Sequence, residues 1–149
     1  MSLYADSGIF IALYLPDRHS SQVQQLVAEF RPRFWVTPLH RAEWSHAVFK
    51  KISEKRVSSS EARQIMAHFD RDREFGRWRD ADLPEGAIER SMALAREHGG
   101  KIKVSSSETL HVASALELKA MQFWTANAAT AALATAVKLV VVTPGFADD

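Results

Sequence analysis

The chain contains no cysteine. That excludes a disulfide scaffold, a thiolate metal site and a cysteine nucleophile. Glycine is sparse, and the six residues Gly8, Gly76, Gly86, Gly99, Gly100 and Gly145 form neither a phosphate-cradling P-loop nor a dinucleotide-binding fingerprint. There is no G-x-S-x-G elbow and no H-E-x-x-H zinc pair. Charge of one sign is not in excess: 19 Lys plus Arg stand against 18 Asp plus Glu, a net charge of +1, so total charge selects no class of partner. The N-terminus runs from Met1 to Asp6 without a basic segment followed by an apolar run, so no signal peptide is expected and a soluble cytoplasmic protein is. A membrane span is missing too. Phe123 to Val142 is the most apolar stretch, but it contains Asn127, Lys138 and many alanines and threonines, whereas a bilayer core favours large aliphatics and penalises a lysine by roughly 3 kcal/mol.

What is present suits one globular domain over residues 1–149, with 46% hydrophobic and 25% charged residues, long enough to bury a sizeable core. The charge is unevenly spread. Between Arg31 and Arg56 there are seven basic residues, among them Arg41, Lys50 and Lys51, against the two acids Glu43 and Glu54. Such an excess suits either a phosphate backbone or the solvated face and C-terminal end of a helix.

The apolar period alternates between short strand-like runs and helical spacing. Leu3-Tyr4-Ala5 reads as a strand, Gly8 to Leu15 as a helix, and Val23, Leu26, Val27 and Phe30 as the inner face of a second helix. Phe34 to Thr37 reads as a strand, and Thr37-Pro38 opens a helix predicted to face inward with Leu39, Ala42, Phe49 and Ile52. Ser58 and Glu61 form a capping box before a helix with Ala62, Ile65, Met66 and Phe69 on one face. Trp78 marks a short edge strand, and Pro84 starts a helix carrying Ile88, Met92 and Ala95 that Gly99-Gly100 stops. A helix after Ser105 to Ser107 runs through Leu118, and a strand over Gln122 to Thr125, a helix over Ala128 to Val137 and a strand over Leu139 to Val142 complete the chain. Strands separated by helices cannot be joined as hairpins, so the economical assembly is an α/β fold, a parallel sheet with helices on both faces.

In such a sheet ligands sit beyond the carboxyl ends of the strands. Asp6 follows the first strand, Asn127 follows the strand ending at Thr125, Glu43 lies in the helix leaving the second strand, and Glu108 opens the helix leading to Gln122. Four oxygen-bearing side chains distant in sequence are thereby expected at one end of the sheet. Clustered carboxylates repel one another, and an all-oxygen set suits a hard cation such as Mg²⁺ or Mn²⁺.

Leu3-Tyr4-Ala5-Asp6-Ser7, the acid within Leu39-His40-Arg41-Ala42-Glu43, Glu108-Thr109-Leu110-His111-Val112-Ala113-Ser114-Ala115 and Trp124-Thr125-Ala126-Asn127 together resemble a PIN domain over essentially the whole chain. The size is similar to that of the stand-alone VapC-type toxins. The resemblance implies a three-layer α/β/α fold and a metal-dependent ribonuclease, held in check by an antitoxin and commonly paired as a homodimer. It implies that Asp6, Glu43 and Glu108 are the first three acids, that Asn127 stands where a fourth is usual, and that Ser7 is the hydroxyl after the first acid. Thr125 is the supporting residue at the fourth position's strand. The sequence departs from the family pattern twice: Glu108 replaces an aspartate and adds one methylene, roughly 1.5 Å of carbon–carbon bond, and Asn127 lacks the charge.

Each residue also has a structural role open to it. Asp6 suits a helix cap, Glu43 a surface pair with His40, Arg41 or His46, Glu108 the N3 position of a capping box with Ser105, and Asn127 a turn or cap. His111, in an apolar helix, reads as a packed core histidine. His40, Glu43 and His46 are spaced by three and drift around a helix, a weak zinc pattern. Trp44 and Trp78 are candidates to stack bases or to fill a core or interface. A receiver domain shares the alternating fold but requires an acid pair after the first strand, which is lacking. Two functions from different classes remain: an RNA-cleaving toxin using Arg41, Lys50 and Lys51 to track the RNA backbone, or a catalytically degenerate PIN fold that binds RNA or protein.

Overall fold

The computed structural model describes residues 1–145. In chain order the elements are β1 (Leu3–Ala5), α1 (Ser7–Tyr14), α2 (Ser20–Phe30), β2 (Trp35–Val36), α3 (Pro38–Ser53), α4 (Ser59–Glu74), β3 (Arg79–Asp80), α5 (Ala87–His98), α6 (Ser106–Glu117), β4 (Gln122–Trp124), α7 (Ala128–Ala136) and β5 (Val140–Val142). Every strand pairing is parallel, β1 with β4, β4 with β5 and β2 with β3. A parallel bridge from Leu3 to Phe34 joins the two groups, so the strands lie in the order β3-β2-β1-β4-β5. This is the α/β fold expected from the alternating pattern, with the short edge strand next to Trp78 in place.

Successive strand residues point to opposite faces, and the core divides accordingly. Tyr4 of β1 and Phe123 of β4 stack at 5.6 Å and pack with Val112, Leu133 and Ala134 of α6 and α7. Ala5 and Trp124 face the other way, into Phe10, Phe34, Trp44, Phe69 and Trp78. Helix starts are well specified: Pro38 occupies the first turn of α3, and Ser58 with Glu61 closes a reciprocal capping box on α4. No helix among the described residues is long and apolar enough to cross a membrane.

Three inner faces differ from those the apolar spacing predicts. Helix α3 buries His40, Trp44 and Val48, while Ala42 is exposed and Phe49 is 59% exposed. The inward stripe is the one that buries a tryptophan and gives His40 two buried partners. His40 Nδ1 accepts from the Thr37 N–H at 3.0 Å and Nε2 donates to the Ala5 carbonyl at 2.7 Å. Helix α5 begins at Ala87 rather than Pro84, after Gly86 in the left-handed region. It turns Ala87 and Leu94 inward and leaves Ile88, Met92 and Ala95 outside. Helix α5 packs against α6. Phe30, in the last turn of α2, is exposed, with its ring in a T-shaped contact with Trp124.

Candidate active site

The ends of β1 and β4, the opening turns of α1, α6 and α7 and the second turn of α3 surround a cavity of about 190 Å³. Asp6, Ser7, Glu43, Glu108, His111 and Asn127 line it. The four residues expected at one end of the sheet are therefore brought to the same cavity, from four different elements.

Asp6 is the most constrained of them. Its backbone N–H continues the ladder to the Trp124 carbonyl at 3.0 Å. Its carboxylate is engaged at both oxygens: Oδ1 accepts from the Ile9 N–H at 3.2 Å, capping α1, and Oδ2 accepts from the Thr125 hydroxyl at 2.5 Å. Only 8% of the residue is exposed. Burial pushes the carboxyl above its ordinary pKa, helped by the charge of Glu43, against the opposing effects of the Thr125 hydrogen bond, the charge of His111 and the Ile9 N–H. Asp6 is thus both a helix cap and a nearly dry carboxylate at the strand end.

Glu43 reaches the cavity from the second turn of α3. Its Oε1 accepts from the Ser7 hydroxyl at 3.0 Å and from His111 Nε2 at 2.5 Å. Burial acts to raise its pKa, but the His111 hydrogen bond and charge and the Ser7 hydrogen bond outweigh it, holding the carboxyl below its ordinary value. His111 is buried, as expected of a core histidine, yet its outer edge belongs to the cavity, which the sequence reading did not anticipate. Its spacing offered a signal, because a residue three positions after Glu108 shares a helix face with it.

Glu108 and Asn127 have oxygens already in use. Glu108 Oε2 accepts from the Ser105 N–H at 2.8 Å, and Ser105 Oγ accepts from the Glu108 N–H at 3.2 Å, the capping box read from the sequence. Asn127 Oδ1 accepts from the Thr130 N–H at 2.9 Å and hydroxyl at 3.1 Å, capping α7. Among the described residues no three His, Asp or Glu side chains come close enough together to hold a metal ion unaided. The donor chemistry nevertheless fits a hard cation: three oxygen-bearing acids face one small cavity, and Mg²⁺ commonly binds through one or two carboxylates while keeping water and phosphate oxygens in its shell.

The basic candidates are more dispersed. Arg41, exposed in the first turn of α3, lines a separate groove with Arg73, Asp80 and Asp82 at the ends of β2 and β3. Lys50 and Lys51 lie in the last turn of α3, roughly 11 Å from Glu43 along the axis at 1.5 Å per residue. Lys50 is within 3.9 Å of Glu54. Trp44 and Trp78 are buried at 3% and 1% exposure and fill the core, which removes them as base-stacking surfaces. His40, held by Thr37 and Ala5, is not available to a zinc site with Glu43 and His46. A larger depression of about 520 Å³ beside Arg31, Arg33 and Arg77 carries no carboxylate and lacks the chemistry of the smaller one.

The fold is similar to that of solved toxin–antitoxin proteins. VapC20 of Mycobacterium tuberculosis, a sarcin–ricin loop cleaving toxin, aligns with a TM-score of 0.69 and 15% identity over 96% of this chain and 100% of its own. VapBC2 from Rickettsia felis, solved with a fragment of promoter DNA, aligns with a TM-score of 0.69 and 13% identity over 96% and 98%. FitAcB from Neisseria gonorrhoeae aligns at 0.66 and 13% over 95% and 97%. No protein-family model and no curated protein sequence matches the chain. At these identities the likeness is one of fold: the chain has the α/β architecture of VapC toxins, as its resemblance to PIN domains implied.

Proposed function

We propose that this chain is a metal-dependent endoribonuclease, the toxin of a toxin–antitoxin pair. The observation that carries the reading is the arrival of Asp6, Glu43 and Glu108 at one cavity beyond the strand ends, from three distant parts of the chain. The VapC-like fold supports it, one structural neighbour being an RNA-cleaving toxin.

On this reading Asp6 and Glu43 hold a Mg²⁺ or Mn²⁺ ion, Glu108 reaches it directly or through water, and Asn127 orients water. Such an ion, when bound, polarises a phosphodiester and lowers the pKa of an attacking water. Thr125 keeps Asp6 in place, and Ser7 and His111 keep Glu43 in place. In-line hydrolysis leaves a 5′-phosphate and a 3′-hydroxyl, with no part for the RNA 2′-hydroxyl. Arg41, on the same sheet edge, tracks the RNA backbone, with Lys50 and Lys51 further along α3, and their contribution falls steeply with salt. The partner antitoxin places a basic side chain in the acidic cavity, and the toxin works in the cytoplasm as a homodimer of single-domain chains.

One observation favours a second reading, a degenerate fold that binds RNA or protein without cutting. Glu108 is turned to its own helix cap, Asn127 carries no charge, and no three-ligand cluster forms among the described residues. Incubating the purified chain with structured RNA and Mn²⁺ separates the two. Cleavage that leaves 5′-phosphate ends and is abolished by EDTA and by Asp6→Asn supports the nuclease. No Mn²⁺ binding by calorimetry, with Asp6→Asn behaving as wild type toward RNA, establishes the binding module.

A further inference from the structure

We infer that Tyr4 and His111 form a positioning device that fixes which oxygen of Glu43 faces the cavity, and so sets the spacing of Glu43 from Asp6. The inference deepens the reading of Glu43 as a metal-facing carboxylate and rests on it.

A glutamate has three rotatable bonds, and Glu43 keeps 32% of its side chain exposed, so burial alone does not immobilise it. Two donors converge on one of its oxygens, the Ser7 hydroxyl and His111 Nε2, both on Oε1. Oε2 takes no hydrogen bond from any described residue, and Glu43 lines the cavity. His111 cannot turn to follow a moving carboxylate. It is 2% exposed, and its Nδ1 is 2.7 Å from the Tyr4 hydroxyl. The His40 ring lies 4.7 Å away. A carboxylate only accepts, so Nε2 carries a hydrogen, while Nδ1 shares a second hydrogen bond with the Tyr4 hydroxyl. Tyr4 is fully buried in β1, stacked on Phe123. Tyr4 lies in β1, two residues before Asp6, which directly follows that strand. Both carboxylates therefore take their position from β1, Asp6 directly and Glu43 through Tyr4 and His111.

The test is calorimetric titration of Mn²⁺ into wild type, His111→Leu, His111→Gln and Tyr4→Phe, each also combined with Glu43→Gln, with circular dichroism and thermal melts to establish folding. Losing an outer partner of a ligand typically costs 10- to 100-fold in metal affinity. His111→Leu is expected to weaken Mn²⁺ binding by about that factor, and Tyr4→Phe several-fold. His111→Gln, whose amide N–H replaces Nε2–H, recovers most of the loss. On the Glu43→Gln background the His111→Leu penalty disappears. Folded His111→Leu binding within twofold of wild type, or an undiminished penalty on the Glu43→Gln background, overturns the inference. If the wild type binds no Mn²⁺, the nuclease reading fails and the positioning claim is decided by NMR of the ¹⁵N-labelled imidazole. A slowly exchanging His111 Nε2 proton that is lost in Glu43→Gln sustains it, and the absence of that proton in the wild type overturns it.

Discussion

The Thr125 hydroxyl donates to Asp6 Oδ2 and accepts from the Asn127 backbone N–H at 3.0 Å, so one fully buried oxygen ties the end of β1 to the start of α7. Thr125→Val preserves shape and leaves the buried Asp6 carboxylate, and the Asn127 N–H at the start of α7, without that partner. A loss of about 2–3 kcal/mol in urea unfolding is expected, against about 1 kcal/mol or less for Thr125→Ser, which keeps the hydroxyl.

Asp6 gives a pH signature of opposite sign to that of an ordinary salt-bridged carboxylate. Burial raises its folded pKa, so the fold favours the protonated form. The stability this confers is complete below the unfolded value of about 3.9 and is lost as pH rises through the folded value. Asp6→Asn keeps an acceptor for the Ile9 N–H and is an equally good helix cap. The variant is expected to have a higher urea midpoint than wild type at pH 7.5, an advantage that closes toward pH 4, together with loss of Mn²⁺ binding. An unchanged or lower midpoint at pH 7.5 contradicts the prediction.

His40 acts from the other direction. Burial, aided by the charge of His111, holds its pKa well below the ordinary value, against the hydrogen bond to the Ala5 carbonyl. The neutral ring is required because Nδ1 must accept the Thr37 N–H. Its stability is present above the unfolded pKa of about 6.5 and is lost as pH falls below it. The wild-type urea midpoint is expected to drop between pH 7 and pH 5. His40→Gln should be less stable throughout and lack that slope.

Asn127→Asp adds a carboxylate to the cavity without removing the α7 cap, since one oxygen continues to accept from Thr130. Negative charge at a helix start is favourable by about 0.3–1 kcal/mol. Mn²⁺ affinity measured by calorimetry is expected to rise several-fold, and unchanged affinity would place residue 127 outside the metal's shell.

The order of strands and helices was legible because the apolar period switches cleanly at Ala5, Val36, Trp124 and Val142, each next to a cap or turn residue. The direction of individual helices was less so. Helix α3 carries apolar residues on more than one face, and periodicity cannot tell that the buried stripe is the one containing His40, whose value lies in backbone partners from β1 and from Thr37. Asp6 and Asn127 were legible from their places after strands and Glu43 from the helix leaving β2, whereas Glu108 was legible as a site residue only through the resemblance to PIN domains and His111 left no trace beyond its three-residue spacing from Glu108. A buried imidazole surrounded by apolar neighbours looks the same in sequence whether or not a carboxylate from α3 meets its outer edge. For Glu108 the capping reading and the cavity reading are both realised, which a one-dimensional pattern cannot anticipate.

The caps have an electrostatic corollary. Asp6 and Asn127 precede α1 and α7, and Glu108 sits in the first turn of α6, so the positive poles of three helices are directed toward the crowded acids. Each pole offsets about 0.3–1 kcal/mol of negative charge. The backbone itself thereby supplies part of the counter-charge that gathering these acids requires, so the fold does not depend on a bound ion to bring them together.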